Sequence, residues 1–135
     1  MNTTKGRFAI IFLFIIVLAG VWFMFLRTSG MGTAEVVEVL EGKWQRSDGP
    51  YTIEIIEILE EGKMNAAYSN PGPIHVGRSG WRVKDDVLEI FVELQDKNYP
   101  GSVYELKFDD ETGQLEGKYF QAVSRQTYNV VFIKQ

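Results

Sequence analysis

Hydrophobic and polar residues alternate most regularly between Trp81 and Phe108. Leu88, Ile90, Val92 and Leu94 fall on one side of an extended chain, with Glu89 and Glu93 on the other. The period resumes at Tyr104, Leu106 and Phe108 against Glu105 and Lys107. A period of two with one apolar face predicts a half-buried antiparallel hairpin. Setting Leu94 opposite Tyr104, Val92 opposite Leu106 and Ile90 opposite Phe108 keeps the apolar side chains together. A slip of one residue would bury Glu105 and Lys107 instead. The chosen register sets Glu93 against Glu105 on the outer face. That like-charge cost is tenths of a kcal/mol, against roughly 1.5–3 kcal/mol for each large side chain buried.

Shorter stretches of the same kind fill the chain from Gly42 onward, separated by turn chemistry. Lys43–Arg46 runs into Ser47-Asp48-Gly49-Pro50, and Tyr51–Leu59 into Glu60-Glu61-Gly62. In the second of these, Tyr51, Ile53 and Ile55 share one face and Ile56 and Ile58 the other. That change of phase predicts a bulge near Ile55–Ile56. Lys63–Ser69 ends at Asn70-Pro71-Gly72-Pro73, where proline removes ladder donors. Ile74–Lys84 reads as one strand, bent or interrupted at Gly77–Gly80, with Trp81 and Val83 facing inward. The central hairpin turns over Asp96–Gly101, with Pro100-Gly101 in type II order. Asp110–Gly113 leads to Gln114–Ala122, and Ser124–Gln126 to Thr127–Lys134. The count is about eight strands, or nine if the bent one is split. Sequential hairpins with short turns predict an all-β, antiparallel, up-and-down eight-stranded barrel, with a β-sandwich as the alternative.

The N-terminal region changes the picture. Residues 8–26, FAIIFLFIIVLAGVWFMFL, carry no charge. As a helix they would rise about 28 Å, close to the hydrocarbon thickness of a bilayer. The domain plan is therefore a basic cytoplasmic tail (1–7), a transmembrane signal anchor (8–26), a tether with a short helix near Ala34–Glu41 (27–41) and the barrel (42–135). Lys5 and Arg7 precede the apolar run and Arg27 alone follows closely, which places the N-terminus inside and the C-terminal domain outside, periplasmic or extracellular. The alternative is secretion after cleavage among the small residues Ser29–Ala34.

Charge follows the same division. The first 34 residues hold no acid, while the remainder carries eleven basic and eighteen acidic residues, a net −7. An acidic body argues against nucleic acid as a partner. The chain has no cysteine and a single histidine, so disulfides, thiolate zinc sites and histidine-built metal sites are not expected, and no cofactor is assigned.

The Gly42-Lys43-Trp44 start, the antiparallel run after it and the segment Leu115-Glu116-Gly117-Lys118-Tyr119 resemble the calycin barrels, lipocalins and avidins. The resemblance implies a barrel whose first tryptophan plugs one end, and a lumen for a small ligand. It names no ligand-binding residue here.

Candidate binding residues come from two polar, aromatic loops: Tyr68, Asn70 and His75 in AYSNPGPIHV, and Asp96, Asn98 and Tyr99 in ELQDKNYPG. In a meander both lie at one rim, and rigid loops on a scaffold are where binding concentrates. Tyr104 and Gln121 are expected to face inward, with Gly117 leaving space beside Tyr119. Glu89 and Glu93 stand about 13 Å apart along a strand, too far for a glycosidase pair. No nucleophile elbow, phosphate loop or dinucleotide fingerprint occurs, so no catalytic residue is assigned. The sequence thus points to a membrane-anchored extracytoplasmic binding module. Its partner would be a small apolar or amphipathic ligand or a protein segment. The alternative is an accessory envelope protein with a solid barrel.

Overall fold

The structure, a computed structural model, describes residues 32–135. The expected membrane span at 8–26 lies outside the described residues. Within them, no helix is long and apolar enough to cross a membrane.

One short helix precedes nine strands: α1 (Thr33–Leu40), β1 (Gly42–Arg46), β2 (Thr52–Ile58), β3 (Met64–Asn70), β4 (Gly72–Ile74), β5 (Val76–Lys84), β6 (Val87–Asp96), β7 (Tyr99–Asp109), β8 (Gln114–Gln121) and β9 (Gln126–Lys134). They form a single antiparallel sheet in the order β4-β3-β2-β1-β9-β8-β7-β6-β5, in which the one pairing of non-consecutive strands is β1 with β9. A single sheet overturns the sandwich alternative. The expected eight strands become nine because the bent strand divides at His75, not at Gly77–Gly80.

That division closes the barrel. β4 pairs with β3, and β5 with β6, so one run of chain spans the gap between the sheet's two ends. The seam is fastened lower down, where Lys63 bridges Gly80 and the Trp81 N–H donates to the Gly62 carbonyl at 3.0 Å. The Trp81 indole N–H reaches the Leu59 and Lys63 carbonyls at 2.9 and 3.0 Å, and Ser79 Oγ donates to the Met64 carbonyl at 2.7 Å. The result is a nearly closed antiparallel barrel, whose lower end we define by Gly42 and whose upper end by Arg46.

The hairpin register corrects the sequence expectation by two residues. Val92 faces Tyr104, Ile90 faces Leu106 and Leu94 faces Ser102. A shift of two preserves which face each side chain takes, so the apolar set stays inside. The cause lies in the turn. Asp96 pairs with Tyr99 across a two-residue loop, and Pro100-Gly101 belongs to β7 rather than to a type II turn. Gly101, at φ 86°, is the extra residue of a bulge opposite Leu94–Gln95. The new register also removes the expected clash of Glu93 with Glu105. Glu93 now pairs with Arg78 at 2.6 Å, and Glu89 lies between Arg82 at 2.6 Å and Lys107 at 3.7 Å. The expected bulge at Ile55–Ile56 is present, between Ile55 and Glu57 of β2.

Inward-facing side chains build one core. Trp44, Ile53, Ile55, Val92, Leu94, Tyr104, Leu106, Leu115 and Phe132 are fully or almost fully buried within it. Helix α1 adds Val36 and Leu40, both fully buried, at the lower end. The Trp44 indole N–H donates to the Leu40 carbonyl at 2.8 Å, and the Glu41 carboxylate accepts the Ile58 N–H at 2.9 Å. Lys134 Nζ reaches the Val39 carbonyl at 3.0 Å, satisfying a helix-end acceptor, and lies 5.5 Å from the Trp44 ring centre.

Gly117 does not leave interior space as expected. A Cβ there would collide with the backbone carbonyl of Glu105 on β7, so the close approach of two strands uses the missing side chain. Gly117→Ala should therefore destabilise the fold by about 1–3 kcal/mol in urea unfolding. Gly72→Ala, where nothing lies within 4 Å, should stay within about 0.5 kcal/mol. Equal effects of the two substitutions would refute the close approach.

Candidate functional site at the upper end of the barrel

The chain has six tyrosines, and strand direction carries all of them toward the upper end. Tyr119 of β8 stacks on Tyr104 at 4.3 Å between ring centres and on Tyr128 of β9 at 6.5 Å. Tyr68 of β3 lies 5.5 Å from Tyr104 and 6.3 Å from Tyr99. Tyr51, just before β2, lies under the guanidinium of Arg46 at 3.8 Å.

Arg46 is the charged centre of this cluster. It follows Trp44 by two residues on β1, so the same alternation that buries Trp44 turns Arg46 inward. Its side chain is only 10% exposed. One guanidinium nitrogen donates to Tyr104 OH at 3.0 Å and another to Asp48 Oδ2 at 3.0 Å, while Nε donates to Asp48 Oδ1. Tyr104 and Tyr68 then share a hydrogen bond at 3.0 Å in the buried interior. Burial opposes the charge on Arg46, but the bonds from Asp48 and Tyr104 outweigh it and hold the pKa above its ordinary value. Burial pushes the Tyr104 phenol up to about 12 despite the hydrogen bond from Tyr68 and the nearby guanidinium. Tyr68 is pushed up further, again chiefly by burial. Both phenols are therefore neutral at pH 7. Every buried side-chain nitrogen or oxygen among the described residues has a partner.

The two loops singled out from the sequence meet at this rim. The Asn70 side-chain amide donates to Tyr99 OH at 2.7 Å, joining β3 to β7 across the seam. Asp96 accepts the His75 and Lys97 backbone N–H groups at 2.9 and 2.7 Å, and these bonds hold its carboxyl below the usual carboxylate value. The His75 carbonyl in turn accepts the Gln95 N–H at 2.9 Å. Asp96 and His75 thus fasten the turn to the bend of the closing strand. Asn98 is exposed in the turn. Tyr68 and Tyr104 are buried inside the barrel. Gln121, half-buried at the end of β8, accepts the Ser124 hydroxyl at 2.8 Å and so braces the last loop.

Comparison with protein families, curated proteins and solved structures finds no match to this chain. Its chemistry is read from the geometry alone.

Sequence reasoning missed Arg46, Asp48 and Ser102. Alternation from Trp44 marks Arg46 as inward-facing, and alternation from Tyr104 does the same for Ser102. Ser102 is fully buried, and its hydroxyl accepts the Ala122 N–H at 3.0 Å. Among the described residues no three His, Cys, Asp or Glu side chains gather as a metal site.

Concavities lie elsewhere. A groove of about 670 Å3 runs over β5–β8 beside Arg82, Glu89, Phe91, Glu105 and Lys118, and another of about 600 Å3 lies near Phe108, Asp110 and Asn129. Both open to solvent. Along the barrel axis the space is taken by side chains, with Tyr104 fully buried between Tyr68, Tyr119 and Phe132.

Tyr104→Phe should cost about 1–3 kcal/mol, since it strips a partner from both Arg46 and Tyr68. Tyr128→Phe, at an exposed position, should cost less than about 0.5 kcal/mol; urea unfolding compares the two. The pH dependence has two sides. Asp48, through its hydrogen bond with Arg46, and Glu89, Glu93 and Asp96 have folded pKa values below their ordinary 3.8 or 4.5. Their contribution is present above those values and is lost as pH falls below about 4. Tyr104, raised from 10.0 to about 12, contributes fully below pH 10 and loses its contribution as pH rises toward 12. Unfolding temperature should be flat near neutrality and decline on both flanks, and a maximum at pH 3 would contradict this assignment.

Proposed function

We propose that this protein is a membrane-tethered binding module that works outside the cytoplasm and takes a segment of a partner protein at its tyrosine-rich upper end. The observation that carries this reading is the occupied axis, where Tyr104 sits with no exposure among aromatic neighbours. A barrel filled in this way offers its surface, not a lumen, to whatever it binds. At the upper end Val123, Tyr128 and Phe120 are 66%, 42% and 37% exposed. Exposed aromatic and aliphatic groups on a rigid rim are apt anchors for a partner. The calycin resemblance supports the architecture and the use of one barrel end for recognition, while the uncharged run at 8–26 and its flanking Lys5 and Arg7 support the tether and its orientation.

A second reading, an accessory protein acting through its outer face, is favoured by the groove over β5–β8 with Phe91 at its edge. Photoreactive residues placed at Tyr128 and at Phe91 of the full chain in its own membranes distinguish the two. Cross-linking to a protein from Tyr128 and not from Phe91 is the expected result; the reverse pattern selects the outer face. A small molecule that co-purifies with the wild-type chain in native mass spectrometry would overturn both in favour of an interior ligand.

A further inference from the structure

β9 is nine residues long and β1 only five, so part of β9 has no neighbour on that side. Pairing covers Trp44–Arg46 against Phe132–Lys134, and just beyond it the Ser47 N–H donates to the Val131 carbonyl at 2.9 Å. In an antiparallel strand the N–H and C=O of one residue point to the same flank, and successive residues alternate flanks. Val131 faces β1, and so does Gln135, whose N–H donates to the Lys43 carbonyl at 2.9 Å. Asn129 and Thr127 therefore face the same way, above the point where β1 has turned off into Ser47–Pro50. Among the described residues, neither has a backbone partner from that loop. Gln126, Thr127, Tyr128 and Asn129 are all exposed. The stretch Gln126–Val130 holds no lysine, proline or charge of the kind that commonly guards a free edge.

We infer that the upper edge of β9, at Thr127 and Asn129, receives an extended basic segment of a partner protein as an added strand. This rests on the rim reading above and specifies how the rim holds its partner. Four backbone groups, an N–H and a C=O from each of the two residues, supply the ladder. Tyr128 stands between them, stacked on Tyr119, and gives the incoming strand an aromatic surface for one side chain. Charge decides the occupant. The chain from Thr33 onward carries a net −7. Such a body attracts a basic segment and repels a second copy of itself. A two-residue edge also falls far short of the roughly 1,200–2,000 Å2 that stable protein pairs bury.

The test uses the full chain in detergent and two blocked, fluorescent hexapeptides, Val-Thr-Lys-Val-Thr-Lys and its twin with glutamate for lysine. The lysine peptide should bind, by anisotropy, at least tenfold more tightly than its twin. It should also slow hydrogen exchange at the Thr127 and Asn129 amides. Thr127→Pro removes an N–H from the open flank without taking a donor from the β8–β9 ladder. It should weaken the lysine peptide at least tenfold with an unchanged circular dichroism spectrum. The exchange pattern on the wild-type chain decides the matter should that variant misfold. No binding, equal binding of the twins, or protection at other amides would overturn the inference, as would a concentration-dependent dimer that the peptide cannot displace. Loss of peptide on Tyr128→Ala with no effect of Thr127→Pro and no protection at the two amides would sink strand addition while leaving the rim reading standing. Cross-links confined to Phe91 together with the expected peptide results would sink the rim reading alone.

Discussion

Closure of the sheet by one bent run of chain is the constraint on which the molecule depends. From Gly72 to Lys84 the backbone first pairs with β3 and then with β6, and the change of partner at His75 joins the two ends of an otherwise open sheet. An open nine-stranded sheet would leave two long edges and one apolar face exposed to water. Once it is closed, every inward position from every strand faces the same axis, and a single core results. The bonds from Trp81 to Gly62, Leu59 and Lys63 hold the lower part of the seam, while Asn70 with Tyr99 and His75 with Asp96 hold the upper part. The polar residues at the rim are thus first of all the fastenings of the barrel.

The two ends of the axis solve the problem of satisfying polar groups differently. Below, an apolar helix is laid against the opening, and its terminal carbonyls are met by Trp44 and Lys134. Above, a charged guanidinium is brought inside and surrounded by Asp48, Tyr104 and the rings of Tyr51 and Tyr119. A buried charge is tolerable only when its donors are met, and phenols serve well because they offer an acceptor oxygen and an apolar ring in one side chain. This explains why the tyrosines collect at one end while the aliphatic residues dominate the other.

Much of this was legible in the sequence, for reasons that separate along physical lines. Strand positions and facing were readable from the period of two, and the bulge in β2 from its change of phase at Ile55–Ile56. The meeting of the AYSNPGPIHV and ELQDKNYPG loops followed from counting hairpins. Pairing register was not readable to the residue, because a slip of two leaves every face unchanged and only the turn length distinguishes the choices. The role of Gly117 was misjudged, since a missing side chain looks the same whether it makes room for a ligand or for a neighbouring backbone. Arg46 was overlooked although its parity with Trp44 was plain. Its acceptor Tyr104 is fifty-eight positions away, and only the folded chain brings the two together.

The pairing of β1 with β9, and the reach of Lys134 back to α1, tie the beginning of the described region to its last residues. Such long-range pairings make folding slow relative to structures built from local contacts. A nascent chain emerging from the ribosome therefore stays incomplete until its final strand is free, since no earlier stopping point supplies a neighbour for β1 beyond β2. Synthesis must finish before the cylinder can form, and a truncation of even one strand at the C-terminus leaves Trp44 without its wall.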